Sequence, residues 1–170
     1  MKHVSPNHPI RALFDKAIGA SLEETHTPVS PEVGMYLGDL LVRFIHTESL
    51  FAIQRGGKSL ESVIEMVAEG DIRINADSFE RERQVHRHIG DYIMFWSGVY
   101  PDFLRRLKTG EGIELTCDYT ERGRQSYYLV STFDYHPYGE EAPVYRELSE
   151  KFERCSGALA LASQKLPFSA

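Results

Sequence analysis

Glu82 and His86 stand four residues apart in a segment with helical periodicity, 77–100, so their side chains fall one turn apart on the same side of the helix. A carboxylate beside an imidazole is an arrangement that holds metal ions or moves protons. Glu48 is available as a third ligand in a mononuclear site. The structural alternative is a histidine that hydrogen-bonds to a neighbouring acid at the edge of the core. The identity of any metal stays open.

Arg122 and Ser126 occupy the apolar stripe of a second predicted helix. An unpaired charge inside a helical bundle is costly, so we expect Arg122 to form an ion pair with Glu82. Glu82, His86, Arg122 and Ser126 then form either a polar pocket for a small ligand or a closed structural network. The sequence leaves both interpretations open.

Two further motifs match known sites only in part. Di-iron bundles need facing Glu-x-x-His motifs, whereas Glu23 and His26 form the single example here and lie at a predicted helix end. Residues 56–59, Gly-Gly-Lys-Ser, match the end of a phosphate-binding loop, but Ala52 replaces its first glycine and a predicted helix precedes it. The motifs therefore identify no cofactor.

The composition is that of an ordinary soluble domain. The chain has 170 residues, of which 42% are hydrophobic and 26% charged, and these values favour one domain. The formal charge of −6 argues against nucleic-acid binding, and no apolar window is long enough to predict membrane insertion. Two cysteines are too few for a disulfide framework, so we expect a cytoplasmic protein. The predicted organisation is a flexible N-terminus (1–8), a helical domain (9–166) and a tail (167–170).

The first half of the chain predicts three helices. Apolar residues recur at helical spacing over 9–24, and two prolines make 26–31 a linker. Ser30 is an N-cap signal for a second helix, in which Asp39 and Arg43 form an expected i,i+4 ion pair. Ser59 is the expected cap of a short third helix, over 60–69.

The long helix over 77–100 is predicted to begin at Asp77, with Glu80 completing a capping box, and to end or kink at Pro101. Helical spacing continues over 116–134, although several strand-favouring residues there leave a two-stranded alternative. A last helix is predicted over 141–166. The expected fold is therefore an all-α, mainly antiparallel bundle of five to six helices with a long central helix.

The second half of the long helix carries more apolar surface than one packing face needs. Met94 and Phe95 point away from the stripe formed by the other apolar residues. Such a helix is either enclosed by the bundle or presents a face to a partner chain, and aromatic residues and Met are enriched at interface cores. We predict an interface formed by Met94, Phe95, Val99 and Phe103.

The sequence thus predicts a helical protein-interaction or scaffold domain without catalytic activity, which binds a protein partner or associates with itself. No nucleophile motif is present, since Ser97 lacks the Gly-x-Ser-x-Gly context. The alternative is a small-ligand or metal-binding helical bundle that uses the pocket around His86.

Overall fold

The computed structural model describes residues 9–44, 54–55, 58–59, 66, 70–71, 77–104 and 118–166. These residues are almost entirely α-helical, which confirms the predicted fold class. The helices with defined bounds are α1 (Pro9–Glu24), α2 (Pro31–Phe44), α3 (Phe79–Val99), α4 (Tyr119–Ser131), α5 (Ala142–Glu150) and α6 (Phe152–Gln164).

The first two helices follow the sequence signals closely. Proline is the first residue of both, where its missing N–H is tolerated, and the intervening segment is not helical. The Ser30 hydroxyl accepts a hydrogen bond from the Val33 amide at 3.3 Å, as expected of an N-cap. Helix α1 packs against α2 and α6. His46 and Glu48 lie outside the described residues.

The last two residues of the phosphate-loop match, Lys58 and Ser59, lie in a short antiparallel ladder. Strand β1 (Gln54–Arg55) pairs with β2 (Lys58–Ser59), and Gln54 is the partner of Ser59. Ser59 is therefore a strand residue, where the sequence predicted a helix cap. Met66 and Gly70 are helical, and Met66 is buried.

Helix α3 begins one residue later than the predicted cap implies. Ser78 has an extended backbone, and its hydroxyl accepts a hydrogen bond from the Arg81 amide at 3.1 Å. Asp77 instead accepts a hydrogen bond from the Ser78 hydroxyl. The helix ends at Val99, and a helical turn follows over 101–104, so Pro101 separates two helical segments as proline chemistry predicts.

Helix α4 shows that the two-stranded alternative was the wrong interpretation of 119–131. The Asp118 carboxylate caps it by accepting from the Glu121 amide at 3.1 Å. Two close approaches bring α4 onto its neighbours: Gly90 of α3 faces the Tyr127 ring, and Gly123 faces Phe152. Tertiary packing of a helical face thus outweighs the strand propensity of single residues.

The predicted last helix is two helices, α5 and α6, which meet at Lys151. Its backbone departs from helical geometry (φ −111°, ψ 24°). The Lys151 ammonium donates to Glu147 Oε1 at 2.9 Å and to the Pro28 carbonyl at 2.5 Å, and Glu147 also accepts from the Ser30 amide. These contacts tie the break to the α1–α2 connection, which explains why apolar spacing alone did not reveal it.

Helix α3 lies in the middle of the packing, with α4 and α6 as its main neighbours and α2 beside it. The apolar residues at helical spacing on α3 are buried from Val85 to Ile93, whereas Tyr100 is exposed. Among the described residues, no helix combines the length and apolar character needed to cross a bilayer.

Candidate functional site

The predicted polar pocket brings His86 and Ser126 together. The Nδ1 atom of His86 lies 3.3 Å from the Ser126 hydroxyl oxygen, across the contact between α3 and α4. Ser126 is buried and His86 is half-buried. Gly70 covers the ring on another side, because a Cβ at that position would lie 3.1 Å from His86 Nε2. The imidazole therefore sits in a close-packed contact.

His86 is neutral at physiological pH. Its pKa is lowered to about 4, chiefly by burial and also by the positive charge of Arg122, while Asp71 opposes the shift. Arg122 therefore lies within electrostatic range of His86, as the predicted pocket requires. Glu82 lies one turn before His86 on α3 and is also half-buried. The Arg122–Glu82 ion pair remains a prediction.

The described residues contain no cluster of three His, Cys, Asp or Glu side chains that is placed to hold a metal ion. Glu48, the third ligand of the mononuclear hypothesis, lies outside the described residues.

The predicted interface needs a correction at its centre. Met94 is completely buried and Phe95 is 8% exposed, so their side chains are not available on the surface. Val99 and Phe103 are half-buried. The Phe95 ring lies 5.1 Å from that of Phe44, so α2 covers the extra apolar face of the long helix. Central burial therefore accounts for Met94 and Phe95, while a role of Val99 and Phe103 in an interface stays a prediction.

A buried acid, Asp91, organises the most extensive polar network of the described residues, and sequence analysis missed it. Its Oδ1 atom accepts hydrogen bonds from the Tyr36 hydroxyl at 2.6 Å and from the Tyr127 hydroxyl at 2.8 Å. Its Oδ2 atom accepts from Arg43 Nη1 at 2.8 Å. One carboxylate thus joins α2, α3 and α4.

Arg87 and Tyr145 extend this network. The Tyr36 ring packs edge-on against the Tyr145 ring, with 5.4 Å between the two ring centres. The Arg43 and Arg87 guanidinium carbons lie 5.5 and 6.0 Å from the centre of the Tyr36 ring. Two guanidinium groups therefore lie beside one tyrosine ring. We call the six residues the Asp91 network: Tyr36, Arg43, Arg87, Asp91, Tyr127 and Tyr145.

The network holds its groups in fixed protonation states. Burial raises the pKa of Asp91, but the positive charges of Arg43 and Arg87 and the hydrogen bonds to the carboxylate outweigh burial and lower that pKa below its ordinary value. Burial, together with the Asp91 charge, raises the pKa values of Tyr36 and Tyr127. At neutral pH the network therefore contains one carboxylate, two guanidinium ions and neutral phenols. A carboxylate that already accepts three hydrogen bonds is a poor general base, so the arrangement favours binding over proton transfer.

Sequence spacing contained a signal for this network. Arg83, Arg87 and Asp91 follow one another at steps of four, which places them on one face of α3. Because Arg43 was predicted to pair with Asp39, the sequence did not identify it as the α2 partner of Asp91. Asp39 instead forms an ion pair with Arg11, which leaves Arg43 to Asp91.

A second feature lies near the N-terminal end of α3. Phe79 is 62% exposed and Tyr135 is 54% exposed. The Arg83 guanidinium lies 4.0 Å from the centre of the Tyr138 ring and forms an ion pair with Glu141 at 2.5 Å. Phe79 is one turn from Arg83 on the same helical face, so it belongs to this end of the molecule. We call this feature the aromatic end, and its residues are Phe79, Phe133, Tyr135 and Tyr138.

A surface hollow of about 570 Å³ lies elsewhere, between the start of α4 and the junction of α5 and α6. Its lining mixes acidic and basic side chains, among them the ion pair of Glu121 with Arg124. That mixture indicates no particular class of ligand.

Comparison of the chain with protein-family models, curated proteins and solved structures finds no match. Its function is therefore inferred from the arrangement of its own residues.

Proposed function

We propose that this chain is a non-catalytic helical interaction domain that binds a protein partner through its aromatic end. The observation that carries the proposal is the exposure of Phe79 and Tyr135, two large aromatic side chains at one end of a fold that buries most of its other apolar residues. Contiguous exposed apolar patches with a polar rim mark interaction sites, and Tyr, Phe and Arg are enriched at their centres.

The charge of this end favours a basic partner over a second copy of the chain. Segments 77–83 and 133–141 contain six acidic residues and two arginines, a formal charge of −4 with His136 neutral. Two copies that meet through this surface would repel each other. A partner with basic residues next to an apolar anchor would be attracted to it.

The test compares three forms of the protein as affinity baits in extracts of the cells that express it. They are wild type, the double variant Phe79→Ser/Tyr135→Ser, and the control Tyr100→Ser. Tyr100 is also an exposed aromatic residue, but the length of α3 places it about 30 Å from Phe79. We expect one protein to bind wild type and control but not the double variant, and the purified pair to dissociate as salt is added.

The result that would contradict this proposal is a purified candidate that binds wild type and double variant equally. Light scattering on the purified chain examines self-association separately. A mass near 19.4 kDa is expected at all concentrations, whereas a dimer that depends on Phe79 would replace the basic partner with a second copy.

The small-ligand or metal-binding alternative, centred on Glu82, His86, Arg122 and Ser126, is a second candidate with narrower support. The contact between His86 and Ser126 favours it. Elemental analysis and native mass spectrometry of purified protein test it, and the absence of both metal and retained ligand would remove its support.

We also propose that residues 9–166 form a single, mainly antiparallel bundle of five to six helices and that the protein is cytoplasmic. Cys155, a free and buried thiol, is compatible with a reducing compartment. Limited proteolysis and fractionation of the source cells test these two points.

A further inference from the structure

The Asp91 network contains more positive than negative charge. Asp91 is its single carboxylate, while Arg43 and Arg87 each carry a full positive charge. Among the described residues, the hydrogen bonds to Asp91 come from Tyr36, Tyr127 and Arg43. The Arg87 guanidinium lies beside the Tyr36 ring instead, 6.0 Å from its centre. One guanidinium charge is therefore left without a carboxylate of its own inside the network.

Two guanidinium nitrogens of the network also lack an acceptor. Arg43 Nη2 and Arg87 Nε are both buried, and neither finds a hydrogen-bond partner among the described residues. A buried N–H without an acceptor destabilises a fold, and more so when it carries charge. In native proteins such groups mark positions where a water molecule or an ion completes the bonding. A bound anion would neutralise the excess positive charge and would also accept hydrogen bonds from the two unused donors.

The two guanidinium groups lie beside the same tyrosine ring, where the positive charge of Arg87 acts unfavourably on that of Arg43. Both guanidinium carbons lie beside the Tyr36 ring, so they are no more than about 11.5 Å apart. The Arg43 side chain is 34% exposed, which gives the network an edge at the protein surface. Guanidinium groups bind the oxygens of carboxylates and phosphates in a fixed geometry.

We infer that Arg43 and Arg87 form a binding site for a small oxyanion, a carboxylate or phosphate group, which enters from the Arg43 side. Asp91 and the tyrosine hydroxyls hold the guanidinium groups in place and do not contact the anion. This site lies on the α3 face that carries Asp91, and its two arginines belong neither to the aromatic end nor to the contact between His86 and Ser126.

The experiment measures binding by titration calorimetry in a chloride-free buffer of constant ionic strength. Inorganic phosphate and acetate are the two probes, and the stronger one identifies the class of oxyanion. We expect saturable binding to wild type that is at least 10-fold weaker in Arg87→Met and in Arg43→Lys, which keeps the charge but loses the planar donor. Arg146→Met is the matched control, since Arg146 lies over the exposed Tyr128 ring and should leave binding unchanged.

Circular dichroism establishes that each variant is folded, and Arg43→Lys decides the test if Arg87→Met does not fold. Saturable binding to wild type and control, with the expected loss in the arginine variants, supports the site. Absence of saturable binding of either probe to wild type would overturn it, as would equal weakening in Arg146→Met.

Discussion

Gly90 of α3 lies directly against the ring of Tyr127 of α4. A methyl group at position 90 would lie 2.6 Å from two carbons of that ring, far inside normal contact distance. The same ring carries the hydroxyl that donates to Asp91 at 2.8 Å. The absence of a side chain at Gly90 therefore allows α3 and α4 to approach closely. This approach places the Tyr127 hydroxyl within hydrogen-bonding distance of Asp91.

Gly90→Ala should destabilise the protein. The Tyr127 ring is completely buried, so it cannot move aside without disturbing its neighbours. Overpacking of this kind costs about 1–3 kcal/mol, which exceeds the gain from replacing a helical glycine. Urea unfolding followed by circular dichroism measures the change in the free energy of unfolding.

Gly157→Ala is the matched control for this substitution. Gly157 lies in α6, and a Cβ there would meet no atom within 4 Å. Alanine is the better helix former by about 0.8–1 kcal/mol, so this variant should be more stable than wild type. A loss of stability in both variants would contradict the role assigned to the contact between Gly90 and Tyr127.

Asp91→Asn should be strongly destabilising at neutral pH. It removes the charge that compensates Arg43 while keeping the shape of the side chain. Breaking a buried ion pair from one side costs about 3–5 kcal/mol. Asp39→Asn is the control, because its ion pair with Arg11 is largely exposed on the Asp39 side and is worth about 1 kcal/mol or less. Equal effects of the two substitutions in urea unfolding would argue against a buried network.

The contribution of Asp91 should also depend on pH. Its pKa is lower in the folded chain than the ordinary value of 3.8, so the folded protein binds the proton less readily than the unfolded chain. The stabilisation is therefore complete above pH 3.8 and is lost as the pH falls through the lower, folded pKa. Unfolding measured from pH 5 to pH 2 should show this loss in wild type and a shallower slope in Asp91→Asn.

The helices were predictable because their signals are local. Capping hydroxyls, prolines and apolar spacing within a few residues define α1, the start of α2 and the extent of α3. The break at Lys151 was not predictable in the same way, because it depends on contacts with Pro28 and Glu147, and Pro28 is distant in sequence. The strand propensity of residues near Tyr127 suggested a two-stranded alternative that was wrong. Packing against α3, which is distant in sequence, decides the structure there.

The site was less predictable than the helices. The residue spacing on α3 identified Glu82 and His86 as candidate site residues, but it could not show which helix would supply their partners. Asp39 is close to Arg43 in sequence, yet Arg43 pairs with Asp91, 48 residues away. Polar partners across helices depend on the tertiary arrangement, and one sequence does not contain that arrangement explicitly.

His86 should make the protein less stable in mild acid. Its pKa falls from 6.5 to about 4 on folding, chiefly through burial, so the unfolded chain binds a proton that the folded chain excludes. Stability is therefore complete above pH 6.5 and declines as the pH falls toward 4, by up to about 3 kcal/mol. His86→Gln should flatten this decline in urea unfolding curves measured from pH 7.5 to pH 4.

His26→Asn is the matched control, because His26 is exposed and has a left-handed backbone conformation (φ 49°) that asparagine tolerates. Its pH profile should follow that of wild type. Proton NMR of the His86 ring gives an independent measurement. A midpoint near 6.5 would show that the ring is hydrated, contrary to the contact with Ser126.

Cys155 should resist alkylation as long as α6 stays packed. The thiol is completely buried, and burial raises its pKa to about 12, so almost no reactive thiolate is present at pH 8. In a Cys117→Ser background, modification by iodoacetamide should be at least ~100-fold slower in buffer than in denaturing urea. Rapid labelling in buffer would indicate local unfolding in which α6 detaches from α1 and α3, the helices against which it mainly packs.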